Sequence, residues 1–317
     1  MLNTSSPLPQ RTSTQKRMLH VAVTVAVLTF AFWLVAQIEW GHVVASLGSR
    51  SGASMIAAAL ATGLSFCGLA AYDVIVVRHL RLSGISNRRA AAAGAVAYGV
   101  TNFIGFPWLT GAMVRNVFYR DTVAGIGALM TVVLSSWVAF WVTAAAIIGA
   151  VLLLDPEITM RAGLTSHGER LGVALLLGVA SLMIRQADGR HIMLVGQRFT
   201  LLKRRVTPAQ CSAALMDLTG SATVLYLFLP TGAATDVASF FGLFTVAVGA
   251  GVLSHMPAGI GAFEGTILLG LQGVDQNEVT TALAMYRGMR TVLPFLLASL
   301  VLVAVAFARR DQPELAL

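Results

Sequence analysis

Ser254-His255-Met256-Pro257-Ala258-Gly259-Ile260-Gly261-Ala262-Phe263-Glu264 interrupts an otherwise apolar run spanning residues 237–273. A proline without an N–H and two glycines this close together break a helix. In hydrocarbon every backbone polar group needs a partner inside the protein. Irregular backbone therefore survives at membrane depth only where protein or a water-filled cavity surrounds it. Glu264 adds a carboxylate to the same place. A broken helix with a charge points to a transport site rather than to a simple anchor. Gly105-Phe106-Pro107 makes a second break of the same kind, splitting an apolar run over 90–105 and 108–119.

Composition agrees with a membrane setting. Of 317 residues, 56% are hydrophobic and 11% charged, and the mean hydropathy is +0.77. Soluble domains carry about 25% charged residues. The further apolar segments are 18–37, 53–77, 123–154, 170–184, 209–229 and 280–307, each measured against the roughly 20 residues a helix needs to cross the hydrocarbon core. The run after Arg17 is read as an uncleaved first helix, with a signal peptide cleaved near Ala36 as the alternative. The net charge of +8 resides mostly in short loops. No basic run interleaves with aromatics, so nucleic acid is not an expected partner. Cys67 and Cys211 lie inside apolar runs without ligand spacing and read as small buried thiols.

Loop charge sets the topology. The 78–89 loop holds Arg78, Arg81, Arg88 and Arg89, and the 185–207 loop holds Arg185, Arg190, Arg198, Lys203, Arg204 and Arg205. Both are expected on the cytoplasmic side. Three crossings between them would put them on opposite sides, so one segment does not cross. The broken segment 90–119 is the candidate, entering from the cytoplasm and returning to it. By the same parity, 237–273 enters and leaves on the outside, and 280–307 alone brings Arg309 and Arg310 back in.

The expected fold is therefore an all-α polytopic membrane protein of about eight hydrophobic segments, arranged as an inverted repeat with two broken, re-entrant hairpins. Residues 1–17 form a cytoplasmic tail, 18–154 and 170–307 the two halves, and 308–317 a second cytoplasmic tail. The alternative is that one or both hairpins are ordinary crossing pairs. The 185–207 stretch alternates basic and apolar residues and reads as an amphipathic helix on the inner surface or as a solvated loop.

A few charges fall inside apolar segments, where each costs about 2.5–3.5 kcal/mol on insertion scales and so needs a partner. They are Asp73, after Tyr72; Arg115, after Asn102; Asp217; Glu264; and Arg287 and Arg290. The glycine turn at Gly259 and Gly261, opening a new helix, offers amide N–H groups and a helix dipole to an anion. Arginines add planar donors suited to phosphate. Together with His255 these residues form a candidate site for a phosphate-bearing amphiphile, with Glu264 and Asp217 balancing the arginines or meeting a cationic head group. Each also has a structural reading: Asp73 paired with Arg78, Asp217 bonded to a neighbouring helix, Glu264 paired with Arg287 to hold the hairpin, and His255 as a packing residue. Nucleotide loops, nucleophile elbows and zinc motifs are missing from the sequence, so no catalytic residue, metal or cofactor is expected.

These residues carry a family resemblance. Pro257 to Glu264 resembles the proline–glycine–glycine–x–glycine–x–phenylalanine–glutamate motif of the lysylphosphatidylglycerol synthetase/flippase membrane region, with Ala258 standing at the second glycine. Ala71-Tyr72-Asp73 before a basic loop, Tyr98-Gly99-Val100-Thr101-Asn102-Phe103 with Thr110 to Arg115, and Tyr286-Arg287-Gly288 with Val292-Leu293-Pro294 resemble further segments of that family, in order. The resemblance implies a bacterial inner-membrane protein with both termini cytoplasmic. It would move aminoacylated phosphatidylglycerol or a related anionic phospholipid to the outer leaflet. The aminoacyltransferase domain of bifunctional members has no counterpart in the sequence, so no enzyme activity is expected. A separate synthetase partner and a homo-oligomer stay open. The other readings of the residues are a carrier of a small anionic solute and a nonenzymatic membrane scaffold for a lipid-modifying enzyme. An epitope inserted beside Thr122 is expected to be shielded from external antibody; external labelling would remove the first re-entrant hairpin.

Overall fold

The computed structural model describes residues 51–310 except 80, 83, 106, 120–125, 155–164, 185–190, 195–196, 201–207, 234–235 and 255. The described residues belong to one compact unit. Its helices are α1 (Gly52–His79), α2 (Asn87–Ile104), α3 (Pro107–Tyr119), α4 (Ile126–Leu154), α5 (Thr165–Ile184), α6 (Pro208–Phe228), α7 (Val237–Leu253), α8 (Ala262–Gly270), α9 (Gln276–Arg287) and α10 (Leu293–Arg310). A π-helical turn, Gly288–Val292, joins α9 to α10 in one long rod. Among the described residues, four helices are long and apolar enough to cross a membrane: Gly52–His79, Leu129–Leu154, Pro208–Phe228 and Gln276–Ala308. The expected segment 18–37 lies outside the described residues.

One expectation is corrected outright. The described residues of the 185–207 stretch are not helical but pair as two short antiparallel strands, β1 (His191–Leu194) with β2 (Gln197–Thr200), with His191 opposite Thr200 and Leu194 opposite Gln197. The alternation noted in the sequence has a period of two, which suits a strand. Cys67 also departs from expectation: it is exposed on α1, while Cys211 is half-buried.

Both predicted breaks are present. At the first, Gly105 takes φ +83° and its N–H closes on the Thr101 carbonyl at 2.8 Å. The Thr110 hydroxyl reaches back to the Gly105 carbonyl at 2.9 Å, and Pro107, which has no N–H to lose, opens α3. At the second, α7 gives way to one 3₁₀ turn, Pro257–Gly259. Ala258 there has φ +53°, a left-handed conformation that costs a side-chain-bearing residue about 1–2 kcal/mol. In each case the chain doubles back, so that α2 packs on α3 and α7 on α8.

The two breaks also meet each other. A Cβ added to Gly105 would lie 3.2 Å from the Pro257 Cα. The hairpin tips are therefore in backbone contact. The centre of the fold is the crossing of α1 with α6. A Cβ on Gly68 would fall 2.4 Å from the Ala213 carbonyl, and one on Gly220 would fall 2.5 Å from the Ala61 carbonyl. Small residues let these two backbones approach, as in packed membrane helices. Phe244, Phe263 and Tyr286 pack behind the second tip, with the Phe263 and Tyr286 rings stacked at 5.3 Å. Large apolar side chains such as Leu60, Leu109 and Leu300 face outward, the surface expected against hydrocarbon.

Gly220→Ala is expected to force α1 and α6 apart at a cost of about 1–3 kcal/mol. A thermal-unfolding midpoint in detergent equal to wild type would contradict this crossing.

Candidate functional site

A cavity of about 600 Å³ opens where the hairpin tips meet, within the usual range for small-molecule sites. Gly105, Ala258 and Gly259 of the breaks line it, together with side chains from α1, α4, α6 and the α9–π-turn rod. Three arginines reach its wall, and each is held by its own carboxylate.

Arg115 of α3 and Asp73 of α1 form the deepest pair, 2% and 0% exposed. Arg115 Nη2 donates to Asp73 Oδ1 at 2.7 Å and Nε to Oδ2 at 2.8 Å, a bidentate fork that fits a carboxylate. Tyr119 donates its hydroxyl to Asp73 Oδ2 at 3.1 Å, and Arg115 Nη1 donates to the Gly111 carbonyl at 3.2 Å. The guanidinium also stands over the Tyr98 ring at 5.0 Å. Arg78, the sequence-based candidate for pairing with Asp73, instead donates to the Asn87 side chain at 2.9 Å. It sits beyond the helix turn that buries Asp73, and Arg115 reaches that carboxylate from the returning limb.

Arg290, in the π-helical turn, donates from Nη2 to Asp217 Oδ1 at 2.7 Å and from Nε to the Ser221 hydroxyl at 2.8 Å. Ser65 of α1 donates to the same Asp217 oxygen at 2.5 Å. The Asp217 pair therefore sits on the α1–α6 crossing.

Arg287 donates from Nε to Glu264 Oε1 at 2.7 Å and from Nη1 to the Ala258 carbonyl at 2.7 Å. It lies over the Phe263 ring at 5.1 Å. Glu264 in turn accepts from the Gly261 N–H at 2.8 Å. Gly259 N–H is bonded to the Met256 carbonyl at 2.8 Å. The Gly259 and Gly261 amides, assigned to an anion in the sequence reading, are thus already bonded within the turn. Gly261 is exposed and does not line the cavity, and Glu264 stands behind Arg287 rather than on the wall.

Arg287 Nη2 is taken up in the ion pair with Glu264 Oε1. The Tyr72 hydroxyl is buried without a partner on a side chain only 2% exposed. No hydrogen bond involves Arg290 Nη1 or the Asn102 amide among the described residues. All four side chains line the one cavity. Buried polar groups without partners are rare in folded proteins. The Tyr72 hydroxyl is one of them, on the wall of a space large enough for a ligand.

The structure thus brings Tyr72, Asn102, Arg115, Asp217, Gly259, Arg287 and Arg290 to one wall and sets Asp73 and Glu264 behind it as counter-charges. His255 lies outside the described residues. Sequence reasoning missed Tyr98, Ser136, Trp137 and Ser221, which also line the cavity. None carries a charge, and a lone aromatic or hydroxyl in an apolar run gives no signal until the neighbouring helix is placed.

The architecture is that of an integral membrane protein with interrupted helices around a polar cavity. The chain is 28% identical over 246 residues to phosphatidylglycerol lysyltransferase of Bacillus subtilis, covering 74% of this chain and 28% of that enzyme. It is 24% identical over 271 residues to the uncharacterized protein slr0712 of Synechocystis, covering 84% and 83% of the two chains. It is 21% identical over 291 residues to the inner membrane protein YbhN of Escherichia coli, covering 89% and 90%. No family model matches. The resemblance to the lysylphosphatidylglycerol synthetase/flippase membrane region, drawn first from short motifs, is borne out by these relatives. The chain spans less than a third of the length of the lysyltransferases it matches.

Asp73→Ala is expected to leave Arg115 buried without its counter-ion and to destabilise the fold by about 3–5 kcal/mol. Asp73→Ala with Arg115→Met should recover most of that loss. A double variant no more stable than the single one, by thermal unfolding in detergent, would deny the pairing its structural role.

Proposed function

We propose that this protein moves a phospholipid head group across the bilayer, in the manner of a lipid flippase. The carrying observation is the polar cavity where the two breaks meet, walled by Arg287, Arg290, Asn102 and Tyr72, whose hydroxyl is buried without a partner. They suit the oxygens of a phosphate, for which guanidinium groups are good partners. Each arginine is balanced by a carboxylate, so the cavity holds no large net charge to trap an anion permanently. Binding that is adequate to enter yet weak enough to leave is what a transport site needs.

In this reading the two hairpins are re-entrant and their touching tips lie near the middle of the membrane. Residues 18–154 and 170–307 are the two inverted halves, with both termini and the basic loops in the cytoplasm. The lipid is phosphatidylglycerol or an aminoacylated form of it, a choice favoured by the named activity of the Bacillus relative. Attachment of the amino acid is assigned to a synthetase and not to the residues described here. Arg115, bidentate to Asp73, positions the first hairpin; Arg287 and Asn102 meet the head group.

The test is transbilayer movement of head-group-labelled phosphatidylglycerol and of its lysyl ester in proteoliposomes. Arg287→Ala and Asn102→Ala are each expected to slow it by about tenfold or more, since a lost charge-assisted hydrogen bond is worth about 1.5–3 kcal/mol. Wild-type rates in both variants would overturn the assignment. Uptake of a soluble phosphate ester with no lipid movement would replace the lipid by a small anion.

A further inference from the structure

A second cavity of about 410 Å³ lies on the other side of the Arg290 turn. Helices α1 and α10 both pack on α2 without packing substantially on each other. This leaves a slot, with Gly63 and Phe66 on the α1 side, Leu297 and Val301 on the α10 side, and Ala95 and Val96 as its floor. The lining positions on α1 follow helical spacing: Ala59, Thr62, Gly63 and Phe66 share one face. Thr62 contributes the slot's one polar side chain among the described residues, and its hydroxyl is bonded to the Ala58 carbonyl at 2.9 Å. The slot therefore presents no unbonded polar side chain and suits hydrocarbon.

The slot adjoins the polar cavity across a thin wall. Phe66 lines the slot, Arg290 lines the cavity, and the guanidinium stands 4.9 Å from the Phe66 ring centroid. Consecutive residues of the π-helical turn face the two spaces, Met289 the slot and Arg290 the cavity. An amphiphile lying here would have an apolar channel for a chain beside an arginine with an unbonded Nη1 for a head group. Leu293 and Leu297, together with Leu60 and Leu64 near the slot on α1, are exposed, so the occupant would come from the surrounding hydrocarbon.

We propose that this slot is a binding site for one acyl chain of a phospholipid, and that the Phe66–Arg290 contact is the lateral portal to the polar cavity. The proposal rests on the translocation reading above and adds the route by which the lipid reaches the site. Gly63 gives a direct handle on it. A Cβ added there meets nothing within 4 Å, and Gly63 lines the slot, so a side chain at this position starts into open space.

The experiment uses the full chain in phosphatidylglycerol vesicles containing a phospholipid with a photoreactive diazirine on its acyl chain. Crosslinked residues are read by mass spectrometry, and head-group movement is measured in parallel. Labelling of Phe66, Val96 and Leu297 is expected to exceed that of the lipid-facing Leu109 and Leu300 by about tenfold. Gly63→Trp is expected to lower both this labelling and the head-group movement by about tenfold, and Leu300→Trp to change neither. Even labelling over the outer surface, or a Gly63→Trp protein that labels and transports like wild type, overturns the slot while leaving the translocation reading intact. Labelling by a diazirine fatty acid but not by the phospholipid overturns the assignment to a phospholipid. If the slot labels as expected in a wild-type protein that moves no lipid, the acyl-chain site stands, while the portal and the translocation reading fall.

Discussion

Arg287 bonds the Ala258 carbonyl and Glu264 at 2.7 Å each, and Glu264 takes up the Gly261 N–H. These contacts answer the hardest demand that a broken helix makes in a membrane, which is that the backbone groups freed by the break find partners inside the protein. The tip so held is also what touches Gly105 of the other hairpin. Without it the two breaks would each expose backbone to lipid, and the cavity between them would have no floor. The one non-glycine residue in a left-handed conformation at this tip, Ala258, is tolerated because its carbonyl is claimed by the guanidinium.

The same logic explains why the intramembrane charges come as pairs. Three arginines without counter-ions would be prohibitive in hydrocarbon. With Asp73, Asp217 and Glu264 beside them, each becomes a directed donor whose position is set by its partner. Asp73 takes both sides of the Arg115 fork, and that pair is almost fully buried. The Arg287 and Arg290 pairs are more open, at 17% and 7% exposure of the arginines, and both arginines line the cavity. The three pairs thus differ in burial and in hydrogen-bond geometry, not in residue type.

The π-helical turn belongs to this arrangement. It lies between α9 and α10, holds Arg290, and forms the wall between a polar cavity and an apolar slot. A one-turn widening of a helix is often found at functional sites. Here it puts neighbouring residues, Met289 and Arg290, to work on spaces of opposite polarity.

Hydropathy and punctuation carried much of this fold by themselves. Long apolar runs define helices because backbone bonding in hydrocarbon allows little else, and Pro107, Pro257 and the nearby glycines mark the breaks because they cannot continue a helix. That Asp73, Arg115, Asp217, Glu264, Arg287 and Arg290 need partners also followed from their place in apolar sequence. Which partner each has did not. Asp73 is 42 residues from Arg115, and Asp217 is 73 from Arg290; only the packing of α1 against α6 and the return of each hairpin bring them together. The strand hairpin at 191–200 and the uncharged wall residues Tyr98 and Ser136 were likewise decided in three dimensions. A side chain's partner depends on which helix face lies opposite, and that is set by backbone approach at positions such as Gly68 and Gly220, not by local sequence.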